Sequence, residues 1–294
     1  MDAPPLSLLA LGFAVGFVSG MFGVGGGFLL TPLLNIVMGV PYAIAVGSGM
    51  CQMVGTAVSA FLRHRELGYG EPKVAVLMLG GGVLGVHLGT DVVQHLNTLG
   101  QWSVNGRLVP AAKLILQPAY VIVLAGTAAL LVADWLRARP GDTLTASRRP
   151  GPLTRVAMPP YVSLKEVGLF RVSAPLLAYL GLVMGFLSGL LGIGGGVALM
   201  PVLMYGLGFP IRQAAGTGIL VLLGTVMVGT LEHAFAGHVD LRIAVLLLIA
   251  STIGAQLGAL TTHRMRGPQL RAWFAVVLLV TVVVLLADLV QQLR

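Results

Sequence analysis

The sequence predicts an all-α membrane protein made of two inverted-topology repeats, each with a Gly-rich broken, re-entrant helix pair plus three transmembrane helices. Three observations carry this expectation. Apolar runs of bilayer length recur along the chain, one glycine-rich motif appears twice in a single register, and equivalent loops of the two copies carry opposite charge bias.

Of the 294 residues, 56% are hydrophobic and 10% charged, whereas a soluble domain carries about 25% charged residues. A membrane-crossing helix needs about 20 apolar residues, and runs of that order lie at 42–62, 74–90, 111–135, 212–235, 241–262 and 272–290. The formal net charge of +8 reads as the Lys/Arg bias of cytoplasmic loops, not as a nucleic-acid footprint. The single cysteine, Cys51, cannot form an internal disulfide and offers no metal-ligand spacing, and no cofactor motif is expected. The start, MDAPPLSLLALGF, has no Lys or Arg before its apolar run, so it reads as the first membrane segment and not as a signal peptide.

The stretches GMFGVGGGFLLTP (20–32) and GLLGIGGGVALMP (189–201) lie 169 positions apart. That offset holds without gaps from Gly16/Gly185 through Pro41/Pro210, Thr56/Thr225 and His64/His233 to Gly89/Gly258. Chance does not keep one register over that length, so the chain is a duplication. Each copy reads as five segments: 6–22, 28–38, 42–62, 73–90 and 110–135, then 174–191, 197–207, 212–235, 241–262 and 270–290. The domains are a first repeat at 1–135, a linker at 136–172 and a second repeat at 173–294. Pro, Gly, Ser and charged residues mark the linker as solvated, and 91–109 reads as a local insertion.

Loop charges orient the copies. The linker carries Arg137, Arg139, Arg148, Arg149, Arg155, Lys165 and Arg171 against Asp142 and Glu166, which makes it cytoplasmic. Arg63, Arg65 and Lys73 follow the third segment of the first copy, where the second has Glu232, His233 and Asp240 with Arg242 nearby. Conversely, Arg264, Arg266 and Arg271 follow the fourth segment of the second copy, where the first has Arg107 before Lys113. The copies are therefore expected upside-down relative to each other, with both termini outside. Inversion needs an odd number of crossings per copy, and the last three segments supply three. The second segment, about 16 Å as a helix, then pairs with the first as a hairpin that enters, turns at the glycines and leaves. Six full spans plus two re-entrant hairpins follow, with eight and ten membrane segments both left open.

A turn inside the membrane leaves backbone N–H and C=O groups unpaired, which is tolerated only against protein or a water-filled cavity. Gly25, Gly26 and Gly27, and their counterparts Gly194, Gly195 and Gly196, supply the needed backbone freedom. The short helices starting there point free N–H groups and a positive dipole end toward mid-membrane, a backbone anion site. Broken helices meeting across an inverted repeat are the binding centre expected of a secondary transporter. Glycines four apart, such as Gly16–Gly20 and Gly85–Gly89, fit close helix packing instead. No strand precedes the glycines and no P-loop lysine follows them, so a nucleotide fingerprint does not fit.

Polar residues within apolar segments complete the candidate site. His87 shares its repeat position with Gln256, and either a substrate or proton role or an interhelical hydrogen bond would account for it. Gln52, opposite Val221, breaks the symmetry; Ser48 and Thr217 share one position, as do Ser19 and Ser188. For these, hydroxyl or amide bonds to helix backbone compete with substrate contacts. His64 and His233, beside charges at segment ends, read as interfacial. No nucleophile with a positioned base, no HExxH and no carboxylate pair at depth is present, so an enzyme is not expected.

The pattern G-x-x-x-G-x-x-G-x-G-G-G-x-x-x-x-P, present as Gly16…Pro32 and Gly185…Pro201, resembles the sulfite exporter TauE/SafE family of membrane permeases, as do the continuations GVPYAIAVGSG and GFPIRQAAGTG. The similarity covers both halves except the linker and 91–109. It implies a multi-pass protein of the bacterial (inner) cell membrane that exports sulfite, organosulfonates or related small sulfur anions. Such an anion would be held by the two glycine tips with Gln52, His87 and Gln256, and alternating access would come from rocking one half against the other. A passive anion channel is the rival. The anion, coupling to protons (through His87) or to sodium, and assembly as a homodimer are left open.

Overall fold

The computed structural model describes residues 4–22, 24–66, 68–104, 107–137, 150–156, 158–164, 169–264 and 267–293. Ten α-helices carry the architecture of the described residues. The first half contributes α1 (Pro5–Phe22), α2 (Gly27–Met38), α3 (Tyr42–Glu66), α4 (Pro72–Thr98) and α5 (Ala111–Arg137). The second contributes α6 (Ala174–Leu191), α7 (Gly196–Pro201, continued by a π-turn over Val202–Leu207), α8 (Ile211–Phe235), α9 (Leu241–Arg264) and α10 (Gly267–Leu293). Eight of these are long and apolar enough to cross a membrane, and α2 and the α7 segment are the two shorter apolar ones. This is a multi-pass, all-α membrane protein. Large apolar side chains such as Ile122, Val76 and Val283 stay exposed on its outside, as lipid contact requires.

The count of eight exceeds the six full spans expected, because α1 and α6 each reach 18 residues, about 27 Å. Both nonetheless stop short of the helices they pack against. Gly12, Gly16 and Gly20 of α1 lie against Leu247, Ser251 and Ala255 of α9. Residue numbers rise together, so the two helices are parallel, and α9 continues about 14 Å past Ala255. Gly181, Gly185 and Gly189 of α6 meet Met78, Gly82 and Val86 of α4 in the same way. Each contact in this second set is the first set's counterpart, 169 positions displaced. Glycine lets the backbones touch: a Cβ on Gly12 would stand 2.9 Å from the Leu247 carbonyl oxygen.

Further contacts fix the remaining directions. Gly82 lies against Thr225 and Gly229 against Val86, so α4 and α8 are parallel. Ser48 bonds Asp240 and Gly55 meets Leu248, so α3 and α9 are parallel too. Gly216 touches Tyr69 and Gly70 while Gly47 touches His238, which makes α3 antiparallel to α8. The helices α1, α3 and α9 thus run one way and α4, α6 and α8 the other. α5 packs on α10 through Gln117, whose amide donates to the Leu285 carbonyl at 2.8 Å.

Two antiparallel hairpins were not expected from the sequence. β1 (Gln101–Val104) pairs with β2 (Arg107–Pro110), and β3 (Tyr161–Leu164) with β4 (Leu169–Ser173). The second changes the reading of the linker as wholly solvated. Leu164 and Val172 are fully buried among Leu177, Leu203 and Phe209, and the Gly151 amide donates to the Leu207 carbonyl. The charged stretch 138–149, with Lys165 and Glu166, lies outside the described residues, as does Gly23.

Candidate functional site

The glycine turns meet at the centre of the molecule. Gly25 (φ 83°) and Gly26 (φ 75°) in the first, and Gly194 (φ 68°) and Gly195 (φ 74°) in the second, adopt left-handed backbone that side chains disfavour. The Gly192 carbonyl sits where a Cβ on Gly27 would stand, and the Val24 carbonyl oxygen lies 2.8 Å from the place of a Cβ on Gly196. Gly26 immediately precedes α2 and Gly195 immediately precedes α7, and no side chain caps either helix. Their leading N–H groups therefore depend on other acceptors.

Beside the first turn lies a cavity of about 470 Å³. Ser19, Gly20 and Gly25 line its inner end, Thr56, Ser59 and His64 of α3 one wall, and Thr252, Gln256 and Leu260 of α9 another. Ile219 and Leu222 of α8 close it toward the second turn. It extends toward the end of the molecule at which α3 and α9 stop. No carboxylate, lysine or arginine is among the described residues that line it. Three of its hydroxyls bond their own helices: Thr56 to the Met53 carbonyl at 3.1 Å, Ser59 to that of Gly55 at 3.0 Å and Thr252 to that of Leu248 at 2.7 Å. Each can rotate its proton toward a ligand. His64 Nδ1 is buried without a hydrogen-bond partner.

Leu222 separates the two tips. Its Cδ2 lies 2.7 Å from where a Cβ on Gly25 would be, and its Cδ1 presses still more closely on Gly194. Its repeat counterpart Met53 is fully buried, with its sulfur against Gly27 and Gly194.

The cavity unites only two members of the expected set, Gly25 and Gln256. Gly26 and Gly27 adjoin it in sequence; Gly194, Gly195 and Gly196 are buried behind Leu222. Gln52 is buried beside α9, donating through Nε2 to Ser251 Oγ at 2.6 Å. Ser48 and Thr217 are fully buried at helix starts, accepting from the Asp240 and Glu71 amides at 2.9 Å each. His87 does not line the cavity and is half exposed, 3.1 Å from Glu232 and 3.5 Å from Asp91. Sequence reasoning passed over Thr56, Ser59 and Thr252, and read His64 as interfacial. The signal was there: 56, 59 and 64, and 252, 256 and 260, fall on one face of each helix.

The profile of the family described as Sulfite exporter TauE/SafE matches residues 8–285. A probable membrane transporter protein of Xylella fastidiosa is 28% identical over 86% of this chain and 83% of its own length. The probable membrane transporter protein YunE of Bacillus subtilis is 24% identical over 88% and 89%. A probable membrane transporter protein of Methanocaldococcus jannaschii is 23% identical over 92% and 91%. No solved structure matches the chain.

Proposed function

Because the chain belongs to the sulfite exporter TauE/SafE family, we propose that it is a secondary transporter that moves a small sulfur oxyanion, such as sulfite or an organosulfonate, by alternating access. The observation that carries the reading is the cavity that ends on Gly25, just ahead of the uncapped start of α2. An oxyanion offers acceptor oxygens and little apolar surface. Backbone N–H groups of the turn, the Gln256 amide, the His64 ring and three rotatable hydroxyls are matching donors, and a site without carboxylates does not repel the ligand. Dehydrating such an ion costs several kcal/mol, so several donors must converge.

Inverted repeats support the mechanism. The offset of 169 carries α1, α3 and α9 onto α6, α8 and α4, the set that runs the opposite way. With Met21 beside Gly258 and α1 ending at Phe22, the turn comes about 9 Å short of the end of α9, which supports a re-entrant first hairpin. The ends of α3 and α9 also carry Arg65, Arg63 and Arg264 in sequence, so we take the mouth of the cavity as cytoplasmic and the termini as outside. A passive pore would need a continuous path, and Leu222 stands across it.

Purified protein in proteoliposomes tests the reading with labelled sulfite, an alkylsulfonate, thiosulfate and sulfate under imposed pH or sodium gradients. Saturable, gradient-dependent flux of one of these anions is expected. Absence of flux for all of them, or ion currents indifferent to both gradients, would overturn it.

A further inference from the structure

We propose that the protein contains a second anion vestibule, closed in this structure, and that His233 latches it shut; the proposal rests on the alternating-access reading above. Displacing the cavity lining by 169 positions generates its counterpart. Ser19, Gly25, Thr56 and His64 become Ser188, Gly194, Thr225 and His233, and Ile219, Leu222 and Ala255 become Met50, Met53 and Val86. Where the first set surrounds about 470 Å³ of space, these seven counterparts are all buried, and only Val83, His87 and Asp91, the counterparts of Thr252, Gln256 and Leu260, are exposed among those of the α9 wall. Met50 fills the space against Gly229, the counterpart of the cavity-lining Ala60.

Two histidines at one repeat position mark the difference. His233 is fully buried on α8, its Nε2 3.3 Å from the Gly189 carbonyl of α6 and its Nδ1 3.3 Å from His238 Nδ1. A carbonyl can only accept, so Nε2 carries the proton and Nδ1 accepts from His238. This bond ties α8 to α6 across the would-be vestibule. In the first half the equivalent pair is His64 and Gly20, and both line the open cavity. No hydrogen bond joins these two described residues, and His64 Nδ1 has no partner.

The closed vestibule is polar where a closed apolar gate would not be. Ser188 Oγ is buried and without a partner, and Thr225 bonds only backbone carbonyls of Val221, Leu222 and Gly194. A buried hydroxyl left unpaired is unfavourable, and it is accounted for if water or the anion reaches it in a second state. In that state His233 leaves Gly189, Ser188, Thr225 and Gly194 face the anion from the opposite side, and His64 closes on the Gly20 carbonyl. The ligand chemistry is that of the first cavity, a small oxyanion taken by hydroxyl, imidazole and backbone donors. His87, the counterpart of Gln256, would stand at the mouth of this vestibule with Asp91, the counterpart of Leu260.

Single-cysteine reporters test this in the full chain with Cys51→Ala: Thr56→Cys for the first vestibule and Thr225→Cys for the second. The probe is sulfonatoethyl methanethiosulfonate, an impermeant anionic thiol reagent, applied to either side of the membrane in separate samples. Thr56→Cys should react from one side, and Thr225→Cys at least tenfold more slowly from the other. Adding His233→Ala should speed the second about tenfold and slow the first by a similar factor. His64→Ala should shift both in the opposite sense, and His233→Gln, which keeps an N–H donor, should restore the parent rates. Rates unchanged by His233→Ala, or raised together at both reporters as in a loosened fold, overturn the latch. A Thr225→Cys that responds to methanesulfonate but to neither histidine removes the latch and leaves alternating access standing. One that stays inert in every variant, with or without methanesulfonate, removes both.

Discussion

The Gly192 carbonyl fills the space that a Cβ on Gly27 would need, so the two glycine turns meet main chain to main chain. Neither partner can yield as a flexible side chain would. Gly27→Ala should therefore displace one turn from the other, at a cost of about 1–3 kcal/mol for overpacking. Gly196→Ala, against the Val24 carbonyl, should behave alike. Gly126→Ala is the contrast: nothing lies within reach of a Cβ there, and within α5 alanine is the better helix former by about 1 kcal/mol. Thermal unfolding in detergent should show two variants well below the parent and one at or above it. Equal melting of all three would mean the turns do not depend on that contact.

Leu222 lines the cavity and also presses on Gly194, the glycine of the second turn. Shortening it removes the plug between the two tips. Leu222→Ala should give anion efflux from proteoliposomes that no longer follows an imposed gradient, whereas Leu222→Met, which keeps the volume and copies the counterpart Met53, should stay coupled. Coupled transport at the parent rate in the alanine variant would show that the plug lies elsewhere.

Much of this arrangement could be read from the chain before any coordinates. Apolar length located α3 from Tyr42 and α6 at Ala174–Leu191, and the offset of 169 paired the glycines that make equivalent close backbone contacts, such as Gly16 on Ser251 and Gly185 on Gly82. Boundaries failed where polarity and helicity part: α4 runs past Thr90 through Asp91, Gln94 and His95 to Thr98, because charged residues end an apolar run without ending a helix. The site was less legible. Ser48 and Thr217 look like ligands because they are polar inside apolar runs, yet each satisfies an amide at the start of a helix from the other half. Thr56 and Thr252 look ordinary until α3 and α9 are known to flank one space. Which polar group faces a cavity is decided by helices distant in sequence, and one chain's periodicity does not hold that information.

On the α5–α10 interface, Lys113 Nζ lies 3.0 Å from Asp288 Oδ2, both about one-sixth exposed, and Gln117 and Gln292 donate to the same carboxylate. Removing one charge leaves the other largely desolvated. A fully buried pair loses about 3–5 kcal/mol in this way; with partial exposure, Asp288→Asn should cost about 2 kcal/mol. Asp288→Leu combined with Lys113→Met removes both charges and should recover most of that loss. Chemical unfolding in detergent measures the cycle, and a double variant no more stable than Asp288→Asn would refute a desolvated pair.

Hydroxyls at helix starts and hydroxyls facing the cavity should separate in their effects. Thr217 Oγ1 accepts from the Glu71 amide at the start of α4, and Ser48 Oγ from Asp240 ahead of α9. Losing such a cap costs about 1 kcal/mol of stability, so Thr217→Val and Ser48→Ala should melt earlier yet bind the anion as the parent does. Thr56 and Gln256 touch the cavity instead. A hydrogen bond to a charged group is worth about 1.5–3 kcal/mol, so Thr56→Val or Gln256→Leu should weaken anion binding roughly tenfold to a hundredfold with little change in melting. Calorimetric titration of detergent-solubilised protein with the transported anion, alongside thermal unfolding, reads both quantities on the same samples. If the Thr217 and Ser48 variants lost affinity while the Thr56 and Gln256 variants kept it, the anion would sit at the helix starts and the cavity beside Gly25 would not be its site.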